Sequence, residues 1–230
     1  MPSAGPHGRV SDSHPWLAAK RLLATRLLAR FAPPGERLLD VGCGEGWPWP
    51  GFEAWGADID PCAVEQASAK LGGRAVLCDA ARLPFPDGSF AACLLLDVLE
   101  HLDDPLAALA EARRVLAPGG IVVAAVPLHP WMWSGHDEEC GHKRRYRSGE
   151  LGRQLSAAGF SVEYRTCWNM AGFLPLALAR RLDFGAPGEA SAAMRLAGPV
   201  LAAEARIAAR VPLPVGVTEA AVGRAEQNNL

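Results

Sequence analysis

The chain has 230 residues, half of them hydrophobic, which is enough to bury the core of one globular domain. Its formal net charge of −2 offers no electrostatic footprint for a polyanion, so we expect no nucleic-acid partner. The N-terminus has no signal-peptide pattern, and no apolar run approaches the roughly 18 to 20 residues that span a bilayer. The composition therefore predicts a cytoplasmic protein without a transmembrane segment.

The first predicted element is a helix over residues 14–31, where apolar residues recur at helical spacing with basic residues between them. Strands and helices then alternate. Pro61 and Pro105 stand at the first positions of helices predicted over residues 60–71 and 104–116. This alternation predicts an α/β fold with a doubly wound, Rossmann-like sheet.

The most specific feature of the chain is the glycine loop at residues 42–46, which follows the apolar run that ends at Asp40. Glycine lets the backbone approach a ligand closely. Trp47 stands where a dinucleotide-binding loop needs its small third residue, and Trp47 and Pro48 stand where a P-loop needs lysine and a hydroxyl residue. The loop therefore favours a nucleoside ligand without a phosphate grip.

Two further acids end the next predicted strands. Asp58 can accept hydrogen bonds from both hydroxyls of a ribose, as an acid at that place does in doubly wound sheets. Asp79 can accept a hydrogen bond from an adenine amino group. The alternative for both residues is the capping of a turn.

The central cysteines, which lie within apolar strands, behave there as small hydrophobic residues. No two of the six cysteines form a CxxC pair. We therefore expect reduced core residues at Cys43, Cys62, Cys78, Cys93, Cys140 and Cys167.

Five segments in the right order resemble the class I S-adenosylmethionine-dependent methyltransferases of the small-molecule type. They are LLDVGCGEG, ADIDP, CDAARLPFPDGSF, LLLDVLEHL and RRVLAPGGIVVAAVP, within residues 36–127. The resemblance implies a seven-stranded, mostly parallel sheet with an antiparallel last strand. It also implies S-adenosyl-L-methionine as cofactor, S-adenosyl-L-homocysteine as product, and an O, N or C atom of a small secondary-metabolite or lipid-like molecule as methyl acceptor.

The resemblance also implies which residues bind the cofactor. Asp40 and the glycine loop would line the methionine part of the cofactor. Asp58 would bind the ribose and Asp79 would bind the adenine. The end of the fourth strand would lie near the sulfonium. These residues are Asp40, Gly42, Cys43, Gly44, Asp58, Ile59, Asp79, Ala80 and Leu96. For Gly46 a ligand contact and a purely structural helix entry remain equally open.

One departure from the family concerns the first crossover. Only residues 47–56 separate the glycine loop from the second strand, and Pro48 and Pro50 forbid a regular helix there. Trp47 and Trp49 would then either wall the cofactor pocket or simply cover the sheet.

We expect one methyltransferase domain over residues 1–230. Its parts would be an N-terminal helical segment (1–35), a cofactor-binding core (36–127), a substrate loop (128–147) and a helical insertion (170–212). Helices predicted over 171–182 and 192–210 would form a lid or partner surface, pack in the ordinary way, or make a peripheral membrane contact through their arginines. Between loop and insertion, a helix from Ser148 to Ala158 and a strand over 160–167 are predicted; the last strand is predicted over 215–222.

The predicted substrate loop contains HDxxxGHxRRY, a pattern shared with a subgroup of the family. An acceptor that must lose a proton needs a base, and histidine or a His/Asp pair is suited to that role. The candidate catalytic residues are His136, Asp137, His142 and Tyr146, and the candidate substrate-binding residues are Trp131, Trp133, Arg144 and Arg145. One alternative is that these side chains hold the loop together by hydrogen bonds. The other is that the charged side chains are simply solvated.

Asp97, Glu100 and His101 have i, i+3 and i+4 spacing, which on a helix places two carboxylates and an imidazole on one face. A divalent metal is one interpretation. Asp97 with Glu100 would also make a helix capping pair, and the DVLEHL segment resembles metal-free relatives, so we assign no metal site.

Two functions of other classes fit the same sequence. One is an enzyme that binds S-adenosylmethionine for non-methylating chemistry, such as a cyclisation. The other is a non-catalytic subunit that uses the alanine-rich insertion to dock a partner.

Overall fold

The computed structural model describes residues 14–173 and 192–226, with the side chains of 192–196 excepted. Within these ranges a single seven-stranded sheet forms the centre of the molecule, in the order β3-β2-β1-β4-β5-β7-β6. The strands are β1 (Arg37–Val41), β2 (Glu53–Asp58), β3 (Ala75–Leu77), β4 (Phe90–Leu96), β5 (Leu116–Pro127), β6 (Phe160–Trp168) and β7 (Thr218–Ala225).

Helices cover both faces of this sheet. They are α1 (Pro15–Phe31), α2 (Pro61–Lys70), α3 (Pro105–Val115), α4 (Gly135–Glu139), α5 (Glu150–Ala157) and α6 (Ala192–Ala208), with short 3-10 turns at Leu99–His101 and Pro130–Met132. The proline-led starts predicted for α2 and α3 are confirmed: Asp60 and Asp104 cap these helices by accepting hydrogen bonds from backbone amides one turn ahead.

The pairing of the strands confirms the predicted fold class. All neighbours from β3 to β5 are parallel, and β7 runs antiparallel to both β5 and β6. The central strands β4 and β5 are almost completely buried along their length, as expected for strands covered on both faces. Consequently the carboxyl ends of β1 to β5 meet at one edge of the sheet.

Alternation along the strands divides the core into two layers. On one face Leu38 and Leu94 pack with α1 and α6, and on the other Leu39 and Leu95 pack with α3 and α5. Helix α1 begins at Pro15 with His14 as its N-cap, in agreement with the prediction from helical spacing.

Three predicted boundaries are wrong. Helix α5 is preceded by Gly149 in the left-handed conformation (φ 79°), so Ser148 is not its N-cap. Strand β7 begins at Thr218 and not at residue 215, because the chain at Gly216 passes so close to Trp168 that a Cβ there would lie 2.3 Å from its carbonyl oxygen. Leu116, expected to be the last residue of the helix over 104–116, is instead the first residue of β5, and the register of β5 against β4 shifts between Phe90 and Ala92.

The predicted insertion is described only in part. Helix α6 confirms the helix expected over residues 192–210 and packs against α1, whereas the helix expected over 171–182 falls almost entirely outside the described residues. Among the described helices, none combines the length and the apolar character that crossing a bilayer requires.

Candidate cofactor and acceptor site

The glycine loop follows β1 at the carboxyl edge of the sheet. Gly42, Gly44 and Gly46 all have positive φ (70°, 54° and 80°), a conformation that side chains disfavour. A Cβ on Gly42 would lie 2.4 Å from Val98 Cγ2, and a Cβ on Gly46 would lie 2.7 Å from the backbone of Ala67 in α2. Gly46 therefore has a structural role, since it allows the loop to pack closely against helix α2.

Asp58 ties the second strand to the glycine loop. Its Oδ2 accepts a hydrogen bond from the backbone amide of Gly44 at 2.8 Å, and its Oδ1 accepts one from the amide of Asp60 at 2.9 Å. A carboxylate oxygen has two lone pairs, so each can accept a further hydrogen bond from a ligand hydroxyl. The neighbouring Ile59 is 71% exposed at the same edge.

Asp40 lies at the same edge but is buried. The indole Nε1 of Trp49 donates a hydrogen bond to its Oδ2 at 2.8 Å. Burial raises the pKa of Asp40 to about 7, against the opposing effects of the Trp49 hydrogen bond and the charge of Arg21. The carboxyl is thus poised to change its charge near neutral pH when a cationic ligand arrives.

Asp79 lies two residues beyond the end of β3, and its Oδ1 accepts a hydrogen bond from the amide of Ala81 at 2.9 Å. The turn-capping contact named as an alternative is therefore present. Cys78 joins this segment to β2 by a backbone hydrogen bond to Asp58. Ala80 and Leu96 are half-buried near the carboxyl ends of their strands.

The crossover between β1 and β2 contains no helix, as Pro48 and Pro50 predicted. Trp49 is buried in the core and donates to Asp40, so it both covers the sheet and borders the acid of the glycine loop. Trp47 is stacked beneath the guanidinium of Arg21, 4.3 Å from its ring centroid. The alternative that the tryptophans cover the sheet is therefore confirmed for Trp49, and a role of either indole in walling a cofactor pocket stays a prediction.

All six cysteines are free thiols. Only Cys43, Cys93 and Cys167 are buried. Cys78 and Cys140 are partly buried and Cys62 is exposed, which corrects the core position expected for these three. Burial raises the pKa of Cys78 and of Cys167 to about 11, so both are protonated at neutral pH.

The segment after β4 differs from the helix face predicted for it. Only a three-residue 3-10 turn, Leu99–His101, is present, and Asp97 precedes it with φ at 56°, so Asp97 and Glu100 do not form a helix capping pair. Asp97 forms an ion pair with Lys20 of α1, whose ammonium lies 4.4 Å from the ring centroid of Trp16. The positions of Lys20 and Arg21 at this edge could not be predicted, because the sequence of a helix does not show which strand ends the helix will cover.

Glu100 is completely buried, and neither carboxyl oxygen has a hydrogen-bond partner among the described residues. Burial and, to a lesser degree, the charge of Asp97 raise the pKa of Glu100 well above its usual value. Its backbone carbonyl accepts a hydrogen bond from the amide of Lys143 at 2.8 Å, which joins the loop after β4 to the predicted substrate loop.

The predicted substrate loop brings Asp137, His142 and Arg145 together. Asp137 is completely buried, and its Oδ1 accepts hydrogen bonds from His142 Nδ1 at 2.9 Å and from Arg145 Nε at 2.7 Å. Its Oδ2 accepts one from the backbone amide of Ser134. A carboxylate fixed in this way orients the imidazole, which is the arrangement that a His/Asp pair needs to act as a base.

The other predicted residues of this loop lie in different surroundings. His136 is on α4, within 3.6 Å of the Cys140 thiol, and Tyr146 is completely buried, which raises the pKa of its hydroxyl. Trp131 and Trp133 are 57% and 38% exposed, and so are available to an acceptor. Arg144 and Arg145 both bond backbone carbonyls, through Leu102 and Leu128 among others. The catalytic and substrate-binding roles of these residues stay predictions.

Comparison with known proteins agrees with this geometry. The family described as "Methyltransferase domain" matches residues 39–124. The chain is 30% identical over 207 residues to the 27-O-demethylrifamycin SV methyltransferase of Amycolatopsis mediterranei, covering 84% of this chain and 74% of that protein.

A protein of Mycolicibacterium smegmatis named as a probable S-adenosylmethionine-dependent methyltransferase is 30% identical over 162 residues, which cover 67% of this chain. The chain spans 46% to 62% of the length of this and four other curated relatives.

Among solved structures, the (4+2)-cyclase SpnF superposes with a TM-score of 0.60 and 26% identity, covering 96% of this chain and 88% of that one. The loop, the acids and these relatives together lead to one assignment: the chain belongs to the class I S-adenosylmethionine-dependent methyltransferases.

Proposed function

We propose that this protein transfers a methyl group from S-adenosyl-L-methionine to an atom of a small organic acceptor. One observation carries the proposal: Asp40, Asp58 and Asp79 follow or end three adjacent parallel strands beside a positive-φ glycine loop. Asp58 would accept the ribose hydroxyls, Asp79 with Ala80 would contact the adenine, and Asp40 would face the cationic methionine end. The three carboxyls at this edge suit the hydroxyls, the amino group and the positive charge of the cofactor.

The bound cofactor would supply an electrophilic methyl group on a sulfonium. The protein then has to hold the acceptor in line with that methyl group and exclude water. The half-buried end of β4 at Leu96 and the exposed indoles of Trp131 and Trp133 offer apolar surface for such an acceptor. Few obligatory catalytic side chains are needed for this chemistry.

For a hydroxyl acceptor, we propose His142 as the base. It would take the proton while the acceptor oxygen forms its bond to the methyl carbon and the carbon–sulfur bond breaks, leaving S-adenosyl-L-homocysteine. Asp137 would stabilise the resulting imidazolium through the hydrogen bond to Nδ1. The relative whose name includes 27-O-demethylrifamycin SV makes an oxygen of a small molecule the first acceptor to test.

Calorimetry with S-adenosyl-L-methionine, followed by incubation with a panel of small hydroxyl, phenol and amine compounds, tests this proposal. We expect binding with one site per chain and release of S-adenosyl-L-homocysteine that depends on the acceptor. Absence of cofactor binding would overturn the proposal.

A second function is favoured by the 26% identity to the cyclase SpnF over nearly the whole chain. In that case the cofactor would bind but stay intact while the acceptor cyclises. The same incubation separates the two functions, because a changed acceptor without S-adenosyl-L-homocysteine release would support cyclisation and contradict methyl transfer.

A further inference from the structure

The carboxyl of Glu100 is completely buried and has no role in the proposed methyl transfer. A buried carboxyl without a hydrogen-bond partner is costly, and such a group in a native protein calls for a ligand that is absent from the described contacts. His101 and His142 lie beside it, with their rings 4.8 Å apart in an edge-on arrangement. One ligand atom from each of Glu100, His101 and His142 lies within 4.8 Å of the other two.

We propose that Glu100, His101 and His142 form a binding site for one divalent transition-metal ion, such as Zn²⁺. Two imidazoles and one carboxylate are a donor set that suits zinc and other first-row ions, and three protein ligands leave at least one position for water or an acceptor oxygen. This site does not depend on the proposed methyl transfer, because it is defined and tested by binding alone.

The hydrogen bonds of the two imidazoles select the tautomer in which Nε2 can bind a metal ion. His101 Nδ1 lies 3.2 Å from the carbonyl oxygen of Gly141, which can only accept, so Nδ1 carries the proton. His142 Nδ1 lies 2.9 Å from the carboxylate of Asp137, which is also bonded to Arg145. In both rings the lone pair is then on Nε2, and carboxylates or carbonyls bonded to the other nitrogen are the usual support of a metal-ligating histidine.

The backbone already holds the three ligands together. Glu100 and His101 are consecutive in a 3-10 turn, and the amide of Lys143, next to His142, donates to the carbonyl of Glu100. Donor atoms around a tetrahedral zinc ion are about 3.4 Å apart, given metal–ligand bonds near 2.1 Å. Small side-chain rotations would bring the three groups to that separation without a change of the backbone.

This ligand set differs from Asp97, Glu100 and His101, the three residues whose spacing in the sequence suggested a metal site. Asp97 is engaged with Lys20 and stands outside the cluster, and His142, 42 positions away from Glu100 in the chain, takes its place. The proposed site therefore differs from the metal-free interpretation of the sequence, because it places an ion between the loops after β4 and β5. While an ion is bound, His142 acts as a ligand and does not serve as the base.

Tag-free protein, stripped with chelator and then titrated with Zn²⁺ by calorimetry, tests this site. We expect one equivalent to bind, and Co²⁺ in its place to give visible absorption bands typical of nitrogen and oxygen ligands. Glu100→Gln and His142→Ala should each weaken Zn²⁺ binding by at least tenfold, and Asp137→Asn by roughly tenfold to a hundredfold through loss of support for His142.

His136→Ala is the matched control, since His136 is a histidine of the same loop outside the cluster, and it should bind Zn²⁺ as the unaltered protein does. Thermal unfolding of each metal-free variant checks that it folds, and Zn²⁺ should raise the melting temperature of the unaltered protein and of His136→Ala but not of Glu100→Gln. No Zn²⁺ binding by the unaltered protein, or equal binding by a folded Glu100→Gln variant, would overturn the metal site. Neither result touches S-adenosylmethionine binding, which is measured separately.

Discussion

The carboxyl edge of the sheet has two halves that treat their acidic groups differently. In the half formed by β1, β2 and β3, the carboxyls of Asp40, Asp58 and Asp79 each accept a hydrogen bond from a nearby indole or backbone amide. In the half formed by the loops after β4 and β5, Asp97 and Asp137 are also paired, but the carboxyl of Glu100 is buried without a hydrogen bond among the described residues. The first half is therefore complete in the absence of a ligand, whereas the second is left with a cost that a ligand would relieve.

This contrast has a physical origin in how the two halves are built. Residues of the first half are close in sequence and are fixed by short turns, such as the Asp58 to Asp60 bond. The second half joins α1, the 3-10 turn and the substrate loop, and its key contacts link residues far apart in the chain, such as Lys20 and Asp97. If the proposed sites are right, binding of the cofactor should require little rearrangement, whereas the proposed acceptor site would depend on the packing of several elements.

The largest effect should come from filling the glycine loop of the first half. Gly46→Ala would require a left-handed alanine, at about 1 to 2 kcal/mol, and a clash with the backbone of Ala67, at about a further 1 to 3 kcal/mol. The control Gly51→Ala has the same backbone conformation but open space, so only the first cost applies. Urea denaturation of both variants measures the difference, and equal losses would show that the loop is loosely packed.

Removing the acid at the end of β2 should have the next largest effect. Asp58→Ala should weaken S-adenosylmethionine binding at least tenfold, since hydrogen bonds to a charged group are worth about 1.5 to 3 kcal/mol. Asp60→Ala removes the adjacent N-cap of α2 and should lower stability by about 1 kcal/mol with little change in affinity. Calorimetry measures the S-adenosylmethionine affinity of both variants. A similar loss of affinity in Asp60→Ala would assign the effect to a displaced helix.

The two halves also differ in how far the sequence predicted them. The glycine loop, the strand-end acids and the absence of a helix in the first crossover could be predicted because each depends on residues within a short window. The partner of Asp97 and the meeting of Glu100 with His142 could not, because helical spacing was assumed where only a 3-10 turn exists and because His142 arrives from another loop. Likewise, Ser148 resembled an N-cap, but the glycine that follows it has the conformation that starts α5.

Titration of Asp40 should produce a smaller effect that is specific to the first half. Its folded pKa of about 7 lies above the ordinary aspartate value of 3.8, so the folded state binds more protons between these values. This contribution to stability is fully present below pH 4 and is lost as the pH rises toward 7, by about 2 kcal/mol from pH 5 to 7. Asp40→Asn keeps an acceptor for Trp49 and should remove that part of the pH dependence in urea denaturation of the cofactor-free protein; an unchanged slope would contradict it.

The smallest effect is expected from the indole that supports Asp40. Trp49→Phe keeps most of the buried aromatic surface but removes the donor to the carboxyl, and it should cost about 1 kcal/mol at pH 5, where Asp40 is neutral. The cost should be larger at pH 8, because the ionised carboxylate accepts a stronger hydrogen bond. Trp55→Phe, whose indole bonds an exposed glutamate at 3.4 Å, should change stability little at either pH. If Trp49→Phe cost the same at both pH values, the indole would merely fill space, and Asp40 would have to be held by some other group.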